Sequence, residues 1–193
     1  MDVMEAIKTR RSIGKVSERP VEKDLLMTIL DTARYAPNHY RTDPWLFTVL
    51  TGAGRDKLGD VYGRINMEAL EENASENERK EAYEKGIKKA RRAPVIVVVT
   101  VEPNDMAKVV FVEEIAATAC AVQNVLLAAH NLGLAAIWRS GAASYHPIMN
   151  QAFGVSEHGV VLGYVYLGYP LKENNAVKPR ELKPLEDRVT WIK

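Results

Sequence analysis

The sequence predicts a single domain in which helices pack on a β-sheet, and three observations support that expectation. The chain has 193 residues, 47% of them hydrophobic and 26% charged, enough to bury a sizeable core without disulfides and typical of globular proteins. Pro94-Val95-Ile96-Val97-Val98-Val99-Thr100-Val101 is an almost unbroken β-branched run, the pattern of a strand covered on both faces and central in its sheet. Phe111, Ile115, Ala119, Val122, Leu126 and Ala129 recur at helical spacing, with Ala116, Ala117, Ala121 and Ala128 on the other side. A helix apolar nearly all round is buried, in the core or against another subunit.

The remaining elements follow in chain order. Val3, Met4, Ile7 and Lys8 mark a short helix over residues 2–10 that ends on Arg10-Arg11 and is broken by Ser12-Ile13-Gly14. After the turn Ser17-Glu18-Arg19-Pro20, Leu25, Leu26, Ile29, Leu30 and Ala33 trace an amphipathic helix. It stops near Ala36, because Pro37 disfavours α geometry in its predecessor. A polar loop from Pro37 to Trp45 leads into a strand, Leu46 to Thr51, closed by Gly52 and Gly54. Residues 57–89 read as helical throughout, and the charged stretch Glu71 to Arg92 as an exposed, salt-bridged helix or a lid. Gly133 caps the long helix. Leu134 to Ile137 is a short strand opening onto Trp138-Arg139-Ser140-Gly141, and His146 to Gly154 a short helix. A buried strand spans 160–170, with Gly163 where something approaches closely. The polar tail from Leu171 ends in Val189-Thr190-Trp191-Ile192, an arm suited to docking on a partner chain.

Composition narrows the function. A net charge of +1 argues against a nucleic-acid binder. No apolar run suggests a membrane span, and the charged start Met1 to Lys8 lacks the pattern of a signal peptide, so a cytoplasmic protein is expected. Cys120 is the only cysteine, and its setting suggests packing rather than nucleophilic chemistry. His39, His130, His146 and His158 are scattered, without metal-ligand spacing. There is no Gly-x-Ser-x-Gly elbow, dinucleotide fingerprint or phosphate loop. Three polar groups remain at the edge of apolar structure: Arg10-Arg11-Ser12, the His39–Trp45 loop, and Trp138-Arg139-Ser140-Gly141. Paired guanidiniums beside a hydroxyl suit phosphate. Each group also has a plainer reading: a solvated basic turn, a loop histidine, a tryptophan plugging the core beside a solvated arginine. Tyr164, Tyr166 and Tyr169 suit packing more than acid catalysis.

The same residues give the chain a resemblance. Arg10-Arg11-Ser12 after the first helix, Val21-Glu22-Lys23 before a helix ending in Ala36-Pro37, and Pro44-Trp45 before a strand occur in order. Arg92-Ala93-Pro94, Gly133 to Gly141, Gly163 to Pro170 and Lys183-Pro184-Leu185-Glu186 follow. In this order and spacing the chain resembles the smaller members of the nitroreductase family of FMN-dependent oxidoreductases. The resemblance implies an α+β fold with a central, mostly antiparallel sheet wrapped by helices, one domain over residues 1–193, and an intertwined homodimer with FMN at its interface. It implies that Arg10, Arg11 and Ser12 hold the FMN phosphate and ribityl chain. Trp138, Arg139 and Ser140 would lie along the isoalloxazine, a main-chain N–H near Ser140 or Gly141 facing its reactive nitrogen. His39 would reach the flavin of the other subunit, Tyr35 would add a contact, and Arg180 or Lys183 would hold the phosphate from the tail. Arg41 and Asp43 depart from the asparagine and glutamine of many relatives, with Arg41 the candidate flavin contact there. The implied activity is electron transfer from NAD(P)H through FMN to a small electron-poor acceptor, such as a nitroaromatic or quinone, in two half-reactions. The alternative is a flavin carrier or sensor without efficient turnover.

Overall fold

Among the described residues four antiparallel strands form one sheet in the order β1-β2-β4-β3: β1 Trp45–Thr51, β2 Val95–Val101, β3 Ala135–Arg139 and β4 Val160–Gly168. The computed structural model describes residues 1–106, 108–171 and 181–193. All seven residues of β2 are buried and β2 is an inner strand, as its unbroken apolar run requires. Strand alternation divides its side chains between two cores. Val95, Val97, Val99 and Val101 face α2 (Lys23–Asp31) and α5 (Phe111–Asn131). Ile96 and Val98 face α3 (Arg55–Glu68), α4 (Glu76–Ala90) and α6 (Pro147–Phe153). This is the α+β architecture expected, helices on both faces of an antiparallel sheet.

α1 (Val3–Thr9) starts on Asp2, whose carboxylate accepts the Glu5 amide at 2.8 Å. Several expectations need correction. The helical pattern of 57–89 is two helices, because Ser75 and Glu78 form a reciprocal capping box that starts α4 afresh. α4 lies on α3 rather than standing off as a lid: a Cβ on Gly86 would run into the Gly63 backbone, and the Tyr83 hydroxyl donates to Asp60 at 2.8 Å.

The buried stripe of α5 runs through Glu114, Ala117, Thr118, Ala121, Val122 and Val125, while Phe111 is exposed. Val122, Leu126 and Ala129 of the expected stripe are buried together with Ala117 and Ala121 of the small-residue side, while Ala116 is exposed, so the inner face lies between the two. Cys120 is exposed on the outer side and does not pack within the chain. α5 is also long and apolar enough to cross a membrane by length and composition, which the sequence reading overlooked. Its inner stripe packs on the sheet.

Finally, Trp138 and Arg139 are the last two residues of β3, not the start of a loop.

Candidate functional site

The segment after α1 is stitched to the sheet. Ser12 bridges Ala136 in parallel, the Ile13 amide donates to the Ala136 carbonyl at 3.0 Å, and the Ser17 amide to Tyr169 at 2.9 Å. Two of the three polar groups expected from the sequence therefore meet, since Arg10-Arg11-Ser12 runs beside the strand that ends in Trp138-Arg139. Arg11 Nη1 donates to the carbonyls of Lys8 at 2.7 Å and Arg10 at 3.0 Å, which ties the guanidinium to the end of α1. The Thr9 hydroxyl and His130 Nε2 are 2.8 Å apart. Burial, then Arg10 and Arg11, hold the His130 pKa below its ordinary value, a sign of positive potential at this corner.

Strand alternation sends Trp138 and Arg139 to opposite faces. Trp138 packs on the α2–α5 core, whereas the Arg139 guanidinium lies 5.5 Å from the Tyr166 ring centre on the other face. Gly163 makes room for this corner: at φ 141° it takes a backbone form that disfavours side chains, and a Cβ there would lie 2.7 Å from Trp138 Nε1. Ser140 and Gly141 are exposed, and Gly141 turns the chain at φ 128°. The Gly141 carbonyl accepts the Ser144 amide at 2.8 Å.

The third group is a strained loop. Tyr40, Arg41 and Asp43 all have positive φ, at 58°, 54° and 47°, a conformation that non-glycine residues adopt at a cost and that clusters at functional sites. Asn38 and Asp43 clasp its ends, with the Asn38 amide donating to the Asp43 carboxylate at 3.1 Å. The first turn of α5 holds its middle. The Thr42 hydroxyl donates to Glu114 at 2.7 Å, and His39 Nδ1 lies 3.7 Å from Glu113. His39 and Arg41 are exposed at the surface, the His39 ring 3.9 Å from that of Tyr40 between centres. Tyr35, 78% exposed, stands on the rim of a shallow recess between α1 and α5. Lys183 is exposed on the tail, and Arg180 lies outside the described residues.

Glu113 and Glu114 escaped the sequence reading. Two acids in a first helical turn ordinarily signal only a favourable helix dipole, and nothing local distinguishes the buried carboxylate from its exposed neighbour. Gly14 was read only as a helix break; in the structure a Cβ there would lie 2.7 Å from Arg139 Nη2.

The donor set suits a flat, phosphate-bearing cofactor such as FMN. Two guanidiniums and a hydroxyl lead into the segment paired with β3, and that strand leads into the exposed turn at Ser140-Gly141. Arg11 Nε, Trp138 Nε1 and Arg139 Nε are buried donors with no hydrogen-bond partner among the described residues, a state that buried polar groups rarely keep.

The model of the nitroreductase family matches residues 7–169. The protein named "Putative NAD(P)H nitroreductase YdjA" of Escherichia coli (strain K12) is 32% identical over 189 residues, covering 95% of this chain and 97% of that one. "Putative NAD(P)H nitroreductase YfhC" of Bacillus subtilis (strain 168) is 29% identical over 187 residues, covering 95% and 91%. Among solved structures, a nitroreductase-like family protein from Bacillus cereus superposes with a TM-score of 0.83 at 29% identity, covering 100% and 97% of the two chains. A nitroreductase with bound FMN from Bacteroides fragilis gives 0.75 at 28% identity, covering all of both.

Proposed function

The chain belongs to the nitroreductase family, and from that premise we propose that it is an FMN-dependent oxidoreductase using NAD(P)H. The observation that supports this most is the pairing of the segment after α1 with β3, Ser12 beside Ala136, together with unpartnered buried donors on Arg11, Trp138 and Arg139. Arg10, Arg11 and Ser12 bind the phosphate and ribityl chain, charge-assisted donors being the strong ones for phosphate. Trp138, Arg139 and Ser140 flank the isoalloxazine. A main-chain N–H at Ser140 or Gly141, fixed by the turn, stabilises negative charge on the ring without reorganising. When bound, FMN supplies two-electron chemistry between NAD(P)H and a small electron-poor acceptor, a nitroaromatic or quinone, in successive half-reactions at one pocket. The chain binds and orients; no side chain is needed as acid or base.

The working unit is a homodimer of single-domain chains, taken as cytoplasmic. Val3, Met4 and Ile7 on α1, Val112 on α5 and Trp191 and Ile192 on the tail are all exposed apolar residues, more than a lone chain ordinarily leaves bare in such groups. In that dimer His39, with Tyr35 and Arg41, reaches the partner's flavin, and Lys183 and Arg180 contact the phosphate from the tail. The test is a visible spectrum of the purified protein. Flavin bands that bleach anaerobically on adding NADH or NADPH and return with a nitroaromatic or quinone are expected. A colourless protein that takes up no FMN overturns the proposal. Bound FMN that neither nucleotide bleaches makes the chain a flavin carrier instead.

A further inference from the structure

Among the described residues, every non-glycine residue with positive φ lies in one loop: Tyr40 at 58°, Arg41 at 54° and Asp43 at 47°. Aspartate tolerates that conformation, whereas tyrosine and arginine enter it at a steric cost. Two ties hold the loop against that cost. Asn38 Nδ2 donates to the Asp43 carboxylate at 3.1 Å, and the Thr42 hydroxyl donates to the buried Glu114 at 2.7 Å. Glycines at positions 40 and 41 would turn the chain without strain. What the strain retains is the pair of side chains, as strained residues are retained where a site uses them.

Tyr40 is 47% exposed, and its ring meets that of His39 at 3.9 Å between centres, tilted by 46°. The two rings form an aromatic ledge at the surface. Arg41 follows them, exposed, and among the described residues it makes no ion pair. The carboxylates of the loop and of the helix turn under it are engaged elsewhere. Asp43 accepts from Asn38, Glu113 lies 3.7 Å from His39 Nδ1, and Glu114 accepts from Thr42 and, at 3.4 Å, from the Asn104 amide. A guanidinium is a planar fork that grips a carboxylate with two parallel hydrogen bonds. Set beside an aromatic ledge, it suits a flat molecule with a negative charge at one end.

We propose that Arg41, with the Tyr40–His39 ledge, selects acceptors that are both aromatic and anionic, a nitroaromatic or quinone that bears a carboxylate. The inference rests on the reading of this loop as reaching the partner's FMN, and it narrows the acceptor class left open there. Arg41 is a specificity residue. It holds the charged end of the acceptor and takes no part in the transfer of electrons.

The experiment has two readouts on the full chain loaded with FMN. The first is the dissociation constant of benzoate against that of benzamide, unreactive probes of nearly the same shape, by titration calorimetry. The second is the ratio of kcat/KM for 4-nitrobenzoate to that for 4-nitrobenzamide, with NADH and with NADPH as donor. The unaltered protein should prefer the anion in both, and Arg41→Gln should cut each preference about fivefold, the size of a surface ion pair. Because ratios are read, any fall in FMN content or overall rate in the variant cancels. Arg34→Gln is the control, since Arg34 is paired with Asp31 at 2.9 Å, and should leave both preferences unchanged. No preference in the unaltered protein, one unchanged in Arg41→Gln, or an equal fall in Arg34→Gln overturns the inference alone, provided NAD(P)H still reduces the bound FMN. A change confined to the NADPH-to-NADH ratio also overturns it and gives Arg41 to the nucleotide phosphate instead. A protein that takes up no FMN overturns it together with the proposed function.

Discussion

Glu114 is only 1% exposed, yet it is a carboxylate. Its oxygens accept the Thr42 hydroxyl at 2.7 Å and the Asn104 amide at 3.4 Å. Replacing it by alanine leaves the Asn104 amide without its acceptor and the Thr42 hydroxyl with only the His39 carbonyl at 3.4 Å, at a cost of about 1–3 kcal/mol, and unlatches the strained His39–Asp43 loop. Thermal unfolding should show that loss in Glu114→Ala and a smaller one in Glu114→Gln, whose amide can still accept from one partner and donate to the other. A second prediction concerns His130. Its folded pKa is depressed below 6.5 by burial, Arg10 and Arg11. As pH falls, the unfolded imidazole takes up its proton first, so stability present above about pH 6.5 is lost as pH drops through the folded value. The melting temperature of the apoprotein should therefore fall more between about pH 7 and pH 5 than that of His130→Gln. Equal slopes would remove the imidazole from the account.

At the scale of elements, α3 and α4 cross where Gly63 meets Gly86. Alanine at position 86 gains about 1 kcal/mol of helix propensity but has nowhere to put its methyl group. The backbone contact forces the helices apart at about 1–3 kcal/mol. Urea unfolding of Gly86→Ala should give a net loss, and a gain would show that the pair is not tightly packed. The start of α4 was legible in Ser75-x-x-Glu78, a reciprocal cap with its own signature. It was overlooked because both helices carry the same mixed charges, so the periodic pattern runs on through the break. The α5 stripe misled for a different reason. On a helix with apolar residues all round, periodicity cannot fix the inner face, and the one that packs takes Val122, Leu126 and Ala129 from the expected stripe and Ala117 and Ala121 from the other side.

At the scale of the molecule, bare apolar groups on α1, α5 and the tail mark surfaces that a lone chain would not leave in water. Val112, 66% exposed on α5, is a direct probe. A charge placed there, Val112→Glu, should shift the sedimentation coefficient from dimer toward monomer. Because His39 is read as completing the partner's site, FMN affinity should fall with it, by about tenfold or more if even one good polar contact is lost. A monomeric Val112→Glu protein that binds FMN at full affinity would falsify the shared site.

The sequence by itself determined most of the strands and helices, the break between α3 and α4 and the end of β3 excepted, and it offered residues whose chemistry suits a phosphate-bearing cofactor. Strand and helix periods and capping signals are local, and so are the chemistries of an arginine pair, a lone cysteine and scattered histidines. Tertiary structure alone decided the pairings: Ser12 beside Ala136, Thr42 on Glu114, Arg139 over Gly14. It also decided that Trp138 and Arg139 part to opposite faces and that Glu114 is buried while Glu113 is not. Adjacent residues on a helix differ by about 100° of rotation, and which side is inward depends on where the rest of the chain has gone. No local pattern records that path, because it is set by contacts between residues far apart in sequence.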